Sequence, residues 1–325
     1  MRLLLLGGSG FVGRAVADLA VTRGHDVTIV NRGHRPAPDG VRTLIADRTK
    51  GLDVLAGLDF DAVVDTWSAA PSVVRDAARA LSGHAGHYTY VSSRSVYTGT
   101  GPIPLTEDSP LTDGDPDAAA TTYAADKRGG ELAADTFDGP VLHARAGLIL
   151  GPHEDVGRLP WWLNRLHRGG PTLAPGPAGL PLQYIDARDL AAFLLDAAAR
   201  GLTGPYNLVG PPGQTTMGEF LTTANAVTGN HADLRWLDPE PILAAGIQPW
   251  TDLPLWLPPG SDHDYLHRGD VSRAVAAGLT VRPLADTVTD TWAWLGSIDG
   301  PPPHRTDRPA VGLDPALERK VLGTR

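Results

Sequence analysis

Met1-Arg2-Leu3-Leu4-Leu5-Leu6-Gly7-Gly8-Ser9-Gly10-Phe11-Val12-Gly13 is the stretch that decides the fold. Its leucine run has the length of a strand buried on both faces, and the residues from Gly10 to Arg23 carry apolar side chains at helical spacing. Glycines 7, 10 and 13 fall between strand and helix. Such a junction needs a tight turn, then backbone that a pyrophosphate can approach, then close helix-to-strand packing. The phosphates would rest on the helix N-terminus, where unpaired N–H groups and the helix dipole favour an anion. Gly7, Ser9, Gly10, Phe11, Val12 and Gly13 are therefore candidate cofactor contacts.

Beyond this junction, short apolar runs alternate with amphipathic segments, the pattern of parallel strands and crossover helices. Strands are expected at Arg2 to Leu6, Asp26 to Val30, Ala62 to Thr66, His87 to Val91 and Val141 to Leu150, with helices at Ser72 to Leu81 and Tyr123 to Asp135. Right-handed connections wind these into one sheet. The fold class is α/β: a Rossmann-type doubly wound parallel sheet over residues 1–150, with a smaller C-terminal substrate-binding region over 151–325. Residues 183–210 read as strand, helix and strand that rejoin the sheet. Gly99 to Ala120, rich in Pro, Asp, Thr and Gly, reads as a long irregular loop, and the stretch from Gly300 as a frayed tail.

The 325 residues are 42% hydrophobic and 20% charged, which is an ordinary globular balance. A net charge of −9 argues against a general affinity for nucleic acid. With no cysteine there is no disulfide framework, thiolate nucleophile or cysteine zinc site. No metal is expected from the histidine spacing. The opening leucines are too few for a secretory signal, and no run approaches the roughly 20 apolar residues of a membrane span. The expectation is a cytoplasmic protein that works on a small molecule, without a nucleic-acid or membrane partner.

The second strand is followed by Asn31 and Arg32, then His34 and Arg35. An acid in this place would hold an adenosine ribose hydroxyl, whereas a cation suits the additional 2′-phosphate of NADP. NADP(H) is the preferred cofactor, with NAD(H) as alternative, and Asn31, Arg32 and Arg35 are candidate contacts. Asp47 and Arg48, after Thr43 to Ala46, are placed at the adenine edge. Trp67 follows a sheet strand on the side where the nicotinamide should lie.

Tyr123 and Lys127 are four residues apart and share one helical face. A free tyrosine titrates near 10, and a nearby ammonium favours its phenolate. Ser92-Ser93-Arg94-Ser95-Val96-Tyr97 ends the His87 to Val91 strand, and strand C-terminal ends are where doubly wound sheets bind ligands. Together these stretches resemble an extended or atypical short-chain dehydrogenase/reductase of the NAD(P)-dependent epimerase/dehydratase family. The resemblance rests on the glycine spacing, the Ser-Ser-x-x-Val-Tyr stretch at Ser92 to Tyr97, the Tyr-x-x-x-Lys pair and Gly130-Glu131. It continues through Arg145 to Pro152 and Tyr184 to Leu190, covering roughly the first 210 residues. It implies Ser93, Tyr123 and Lys127 as the catalytic set, with Lys127 also on the cofactor ribose, and it makes a homodimer an expectation.

Two departures stand out. Asp65-Thr66-Trp67-Ser68-Ala69-Ala70 replaces the family's His-x-Ala-Ala run, and Arg145 to Leu150 lacks the Asn that sugar-nucleotide members place beside the diphosphate. The leading expectation is therefore an NADP(H)-dependent oxidoreductase acting on a small carbonyl or alcohol. An NAD-dependent epimerase or dehydratase without net redox change is the alternative, and a catalytically idle cofactor-binding or scaffold protein is a third. Arg94, Tyr97 and Trp161 are candidate substrate contacts.

Overall fold

A computed structural model of the chain describes residues 1–99 and 101–323. It divides into two compact units: Met1–Gly147 with Ala187–Val209 and Asp270–Thr280, and Leu148–Asp186 with Gly210–Gly269 and the chain from Val281 onward.

The first unit is built on β1 (Arg2–Leu6), α1 (Phe11–Thr22), β2 (Asp26–Asn31), β3 (Arg42–Ile45), β4 (Ala62–Asp65), α2 (Pro71–Leu81), β5 (Tyr88–Tyr90), α3 (Tyr123–Ala134) and β6 (Val141–Ala146). The leucines of β1 are fully buried, as a strand covered on both faces must be. Helix α1 buries Gly13, Val16, Ala17 and Ala20, a stripe at i, i+3, i+4 and i+7. Pro71 begins α2 where its missing N–H costs nothing. Seven strands form one sheet in the order β11-β6-β5-β4-β1-β2-β3, and every recorded pairing within it is parallel. β11 is Gly204–Leu208, reached through α5 (Ala187–Arg200), which packs on α1. The order reverses between β4 and β1, the switch point at which such sheets hold ligands.

The long apolar run at 141–150 breaks in two: β6 ends at Ala146, and Ile149–Leu150 (β7) belongs to the second unit. Gly147 stands at the break, where a Cβ would meet Val209 Cγ2 at 2.7 Å. Residues 270–280 also return to the first unit, where α9 (Ser272–Ala276) packs on β11.

The second unit contains three helices packed on one another: α4 (Arg158–Arg168), α6 (Met217–Val227) and α10 (Leu284–Ser297). Its strands form small pairs: β8 (Gly170–Pro175) with β13 (Ala232–Leu237), β7 with β10 (Ile185–Asp186), and β9 (Pro181–Leu182) with β12 (Thr215–Thr216). Short helices α7 (Pro239–Ala244) and α8 (Ser261–His267) complete it, followed by α11 (Pro315–Leu322). Its core includes the fully buried Trp162 and Trp256, whose indole N–H groups donate to Pro254 O at 2.7 Å and Gly176 O at 3.1 Å.

The tail is not frayed as the sequence implied. Asp314 caps α11 through the N–H groups of Ala316 and Leu317, and Glu318 is buried. Its carboxylate takes Arg165 Nε at 2.8 Å and Leu173 N at 3.0 Å. Proline and charge counts read as loose chain. They miss an eight-residue helix held by a buried ion pair with a residue about 150 positions earlier.

Candidate functional site

Gly7 and Gly8 turn the chain out of β1 at φ +128° and +81°, which L side chains rarely adopt. A Cβ on Gly13 would lie 2.6 Å from Gly8 N, so α1 can begin this close to the strand only at a glycine. Gly10 is different: among the described residues outside its chain neighbours, only Arg35 Nη1, at 3.8 Å, comes within 4 Å of a Cβ built there. The space above the N-terminus of α1 is thus open, with a cation at its rim. Ser9, Phe11 and Val12, half-buried, complete the junction. These features fit the pyrophosphate of a dinucleotide.

At the end of β2 the Asn31 Oδ1 accepts Gly33 N at 2.7 Å and sets the turn that carries Arg32, which is exposed. Asn31 Nδ2 is buried and has no partner among the described residues, a donor left over beside the cradle. Asp47 accepts Thr49 Oγ1 at 2.7 Å and caps the short turn Arg48–Lys50.

Arg48, expected at the adenine edge, has both terminal nitrogens on Asp65 at the end of β4, at 2.6 and 2.7 Å. Asp65 is fully buried and also accepts Tyr88 Oη at 2.6 Å and Trp67 N at 2.9 Å. Burial alone would raise this carboxyl, but the Arg48 charge and the bonds around it hold it below its usual value. Burial pushes the Tyr88 phenol well above its ordinary range, with the Asp65 charge adding to the effect, so it stays a donor. The Arg48 guanidinium lies over the Trp67 ring at 5.2 Å, and Trp67 Nε1 donates to Ala70 O at 3.0 Å. This cluster occupies the position of the departure at residues 65–70. Sequence reasoning flagged the departure and missed its cause, because nothing local links Arg48 to Asp65 across an intervening crossover.

Lys127 is buried on α3, and its Nζ donates to Trp67 O and Val91 O, each at 2.6 Å, with the ammonium 4.8 Å from the Tyr90 ring centre. It therefore sits at the C-terminal ends of β4 and β5. Tyr123, one turn earlier, is the first residue of α3 and is partly exposed, 38% of its surface remaining open. Ser93 follows β5 by three residues and caps the 3-10 turn Arg94–Val96, its Oγ accepting Ser95 N at 3.1 Å. That turn packs against α3. Ser93, Tyr123 and Lys127 are thus carried by two adjoining elements at one edge of the sheet.

The helix can lie this close to β5 because of Gly130, where a Cβ would meet Tyr90 Oη at 2.2 Å. Behind the site, the buried Glu131 accepts Ser92 Oγ at 2.7 Å and Arg145 Nε at 2.8 Å, and also the half-buried Arg128 Nη1 at 2.9 Å. Burial works against its charge, and the Arg145 bond and charge nevertheless keep the carboxyl below its usual value. Tyr97, named with the substrate candidates, is buried with its Oη donating to Asn207 Oδ1 at 2.6 Å. Arg94 is buried beside Ser93. Trp161 lies in the second unit, stacked edge-on against Trp162 at 4.7 Å, with its indole filling the space a side chain at Gly312 would need.

Fold and site together define an NAD(P)-dependent enzyme of the short-chain dehydrogenase/reductase type. A family model described as the NAD dependent epimerase/dehydratase family matches residues 3–209, and the chain belongs to that family. Among curated relatives it is similar to an epimerase family protein of Bos taurus, 29% identical over 254 residues, 71% of this chain and 82% of that protein. It is also similar to the 2'-dehydrokanamycin reductase of Streptomyces kanamyceticus, 31% identical over 219 residues, 62% of this chain and 60% of that one. Among solved structures, the Bordetella bronchiseptica enzyme WbmG in complex with NAD and UDP shares the fold, with a TM-score of 0.66 at 19% identity over 93% of this chain and 99% of its own. No helix among the described residues is long and apolar enough to cross a membrane.

Proposed function

We propose that this chain is an NADP(H)-dependent oxidoreductase that reduces a small-molecule carbonyl, or oxidises the matching alcohol, through Ser93, Tyr123 and Lys127. The observation that carries the reading is Lys127, whose ammonium is seated on two main-chain carbonyls at the C-terminal ends of β4 and β5, one turn from Tyr123. A nicotinamide cofactor, when bound, would supply or accept the hydride. Tyr123 Oη gives its proton to the carbonyl oxygen as that oxygen gains charge, so the product is the neutral alcohol. Ser93 Oγ donates a hydrogen bond to the same oxygen, and Lys127 keeps positive charge near the phenolic oxygen while holding the cofactor ribose.

NADP(H) is favoured over NAD(H) because the cradle is rimmed by cations. Arg35 reaches the Gly10 end of α1, and the exposed Arg32 stands just past β2, where no acid is present to hold a ribose 2′-hydroxyl. The reductase relative is consistent with net redox chemistry. The test is to denature purified protein, identify any released nucleotide by mass spectrometry, and titrate fresh protein with NADPH, NADP, NADH and NAD. Protein that arrives empty and prefers NADP(H) supports the reading. Tightly retained NAD would replace it with an epimerase or dehydratase that returns its cofactor unchanged. Tyr123→Phe should retain cofactor binding and lose at least about a hundredfold in turnover; an active variant would remove Tyr123 from its role.

A further inference from the structure

The buried Arg48–Asp65 pair takes no part in the proposed chemistry, yet it stands at the ligand-binding edge of the sheet. We infer that Asp65 and Arg48 are positioning residues for Lys127, fixing the main-chain carbonyl of Trp67 on which the Lys127 ammonium rests. This rests on the reading of Lys127 as the residue that holds the cofactor.

Burying two charges is costly, and well-packed apolar residues often serve stability as well or better. A pair retained only to fill the core would direct its bonds into the core. Here the Asp65 oxygen that takes Arg48 Nη1 at 2.6 Å also accepts Trp67 N at 2.9 Å, fixing the start of the turn after β4. Trp67 is then held at three further points. Its ring lies under the Arg48 guanidinium at 5.2 Å, its Nε1 donates to Ala70 O at 3.0 Å, and its carbonyl accepts both Tyr90 Oη at 3.1 Å and Lys127 Nζ at 2.6 Å. Tyr88 and Tyr90 add a second path, since Tyr88 donates to Asp65 while Tyr90 touches both Trp67 O and the ammonium. A charge-assisted bond this short loses strength when its acceptor moves by a few tenths of an ångström. The two residues therefore act on Lys127 through the turn that carries Trp67.

A double-mutant cycle tests the claim, with the NADPH dissociation constant and the urea unfolding midpoint both measured on the full chain. Asp65→Asn keeps the shape and removes the charge. It is expected to weaken NADPH binding about tenfold in the otherwise unaltered protein, and about twofold or less when Lys127 is already Met. The stability losses of Asp65→Asn and Lys127→Met should likewise be smaller together than their sum. Should Asp65→Asn fail to fold, Arg48→Lys takes its place: it keeps the charge, loses the two-pronged geometry, and should show the same subadditivity.

A pair serving only the core would lower the urea midpoint equally with or without Lys127 and leave NADPH binding unchanged, and that result overturns the inference. If the unaltered protein binds no dinucleotide, the cofactor reading falls separately, and the unfolding cycle still decides whether Asp65 acts on Lys127.

Discussion

Lys127 and Gly130 show how single positions shape the proposed site. The ammonium is worth having only where the carbonyls of residues 67 and 91 converge, and α3 reaches that place only because residue 130 lacks a side chain. Gly130→Ala is expected to push α3 off Tyr90, destabilising the protein by about 1–3 kcal/mol and weakening cofactor binding; an unchanged melting temperature and NADPH affinity would contradict this. At the cradle, Gly13→Ala puts a methyl against Gly8 N and should abolish detectable dinucleotide binding in a titration. Both glycines stood out in the sequence, Gly13 through the spacing of the glycines after β1 and Gly130 through the Gly130-Glu131 pair that follows Lys127. The Asp65 environment was not, since a carboxylate at a strand end reads the same whether it meets solvent or a buried guanidinium.

At the scale of elements, α4 has no side chain at its N-cap, Gly157, and uses Glu154 instead: the carboxylate accepts Arg158 N at 2.7 Å and Leu159 N at 3.1 Å. Glu154 is fully buried, and burial raises its pKa to about 7 against the lowering influence of Arg158 and these two N–H groups, with Asp155 adding to the rise. A carboxyl whose folded pKa lies above its unfolded one binds its proton more tightly in the native state. Its stabilising contribution is complete below about pH 4.5 and is lost as pH rises through about 7. Relative to the unaltered protein, Glu154→Gln should therefore gain stability between pH 5 and pH 8.5, by on the order of 3 kcal/mol in urea unfolding. A stability difference independent of pH would refute the assignment. The terminal helix α11 is held in the opposite way, by a charge pair: Glu318→Ala leaves Arg165 buried without that carboxylate and should cost about 3–5 kcal/mol in urea unfolding.

Across the whole molecule, the opposing carboxylates predict an acid limit. Asp65 and Glu131 both have folded values below their usual range, each despite burial, so the stability they add is present above the unfolded carboxylate range and disappears as pH falls through the folded values. Acid unfolding followed by circular dichroism should move to higher pH in Arg145→Met, which takes away the largest charge facing Glu131.

The strands β1, β2, β4 and β5, the helices α1, α2 and α3 and the glycine turn between β1 and α1 were readable from residue order, because each depends on periodicity or spacing within about a dozen neighbours. The family and the parallel sheet follow from those local patterns. The two-residue pairs of the second unit, the return of 270–280 beside β11 and the seating of α11 were not readable, since two residues have no periodicity and these associations join segments far apart in the chain. The same reason hid the Arg48–Asp65 pair: buried charges are matched by packing in three dimensions, and their partners leave no trace in the order of residues.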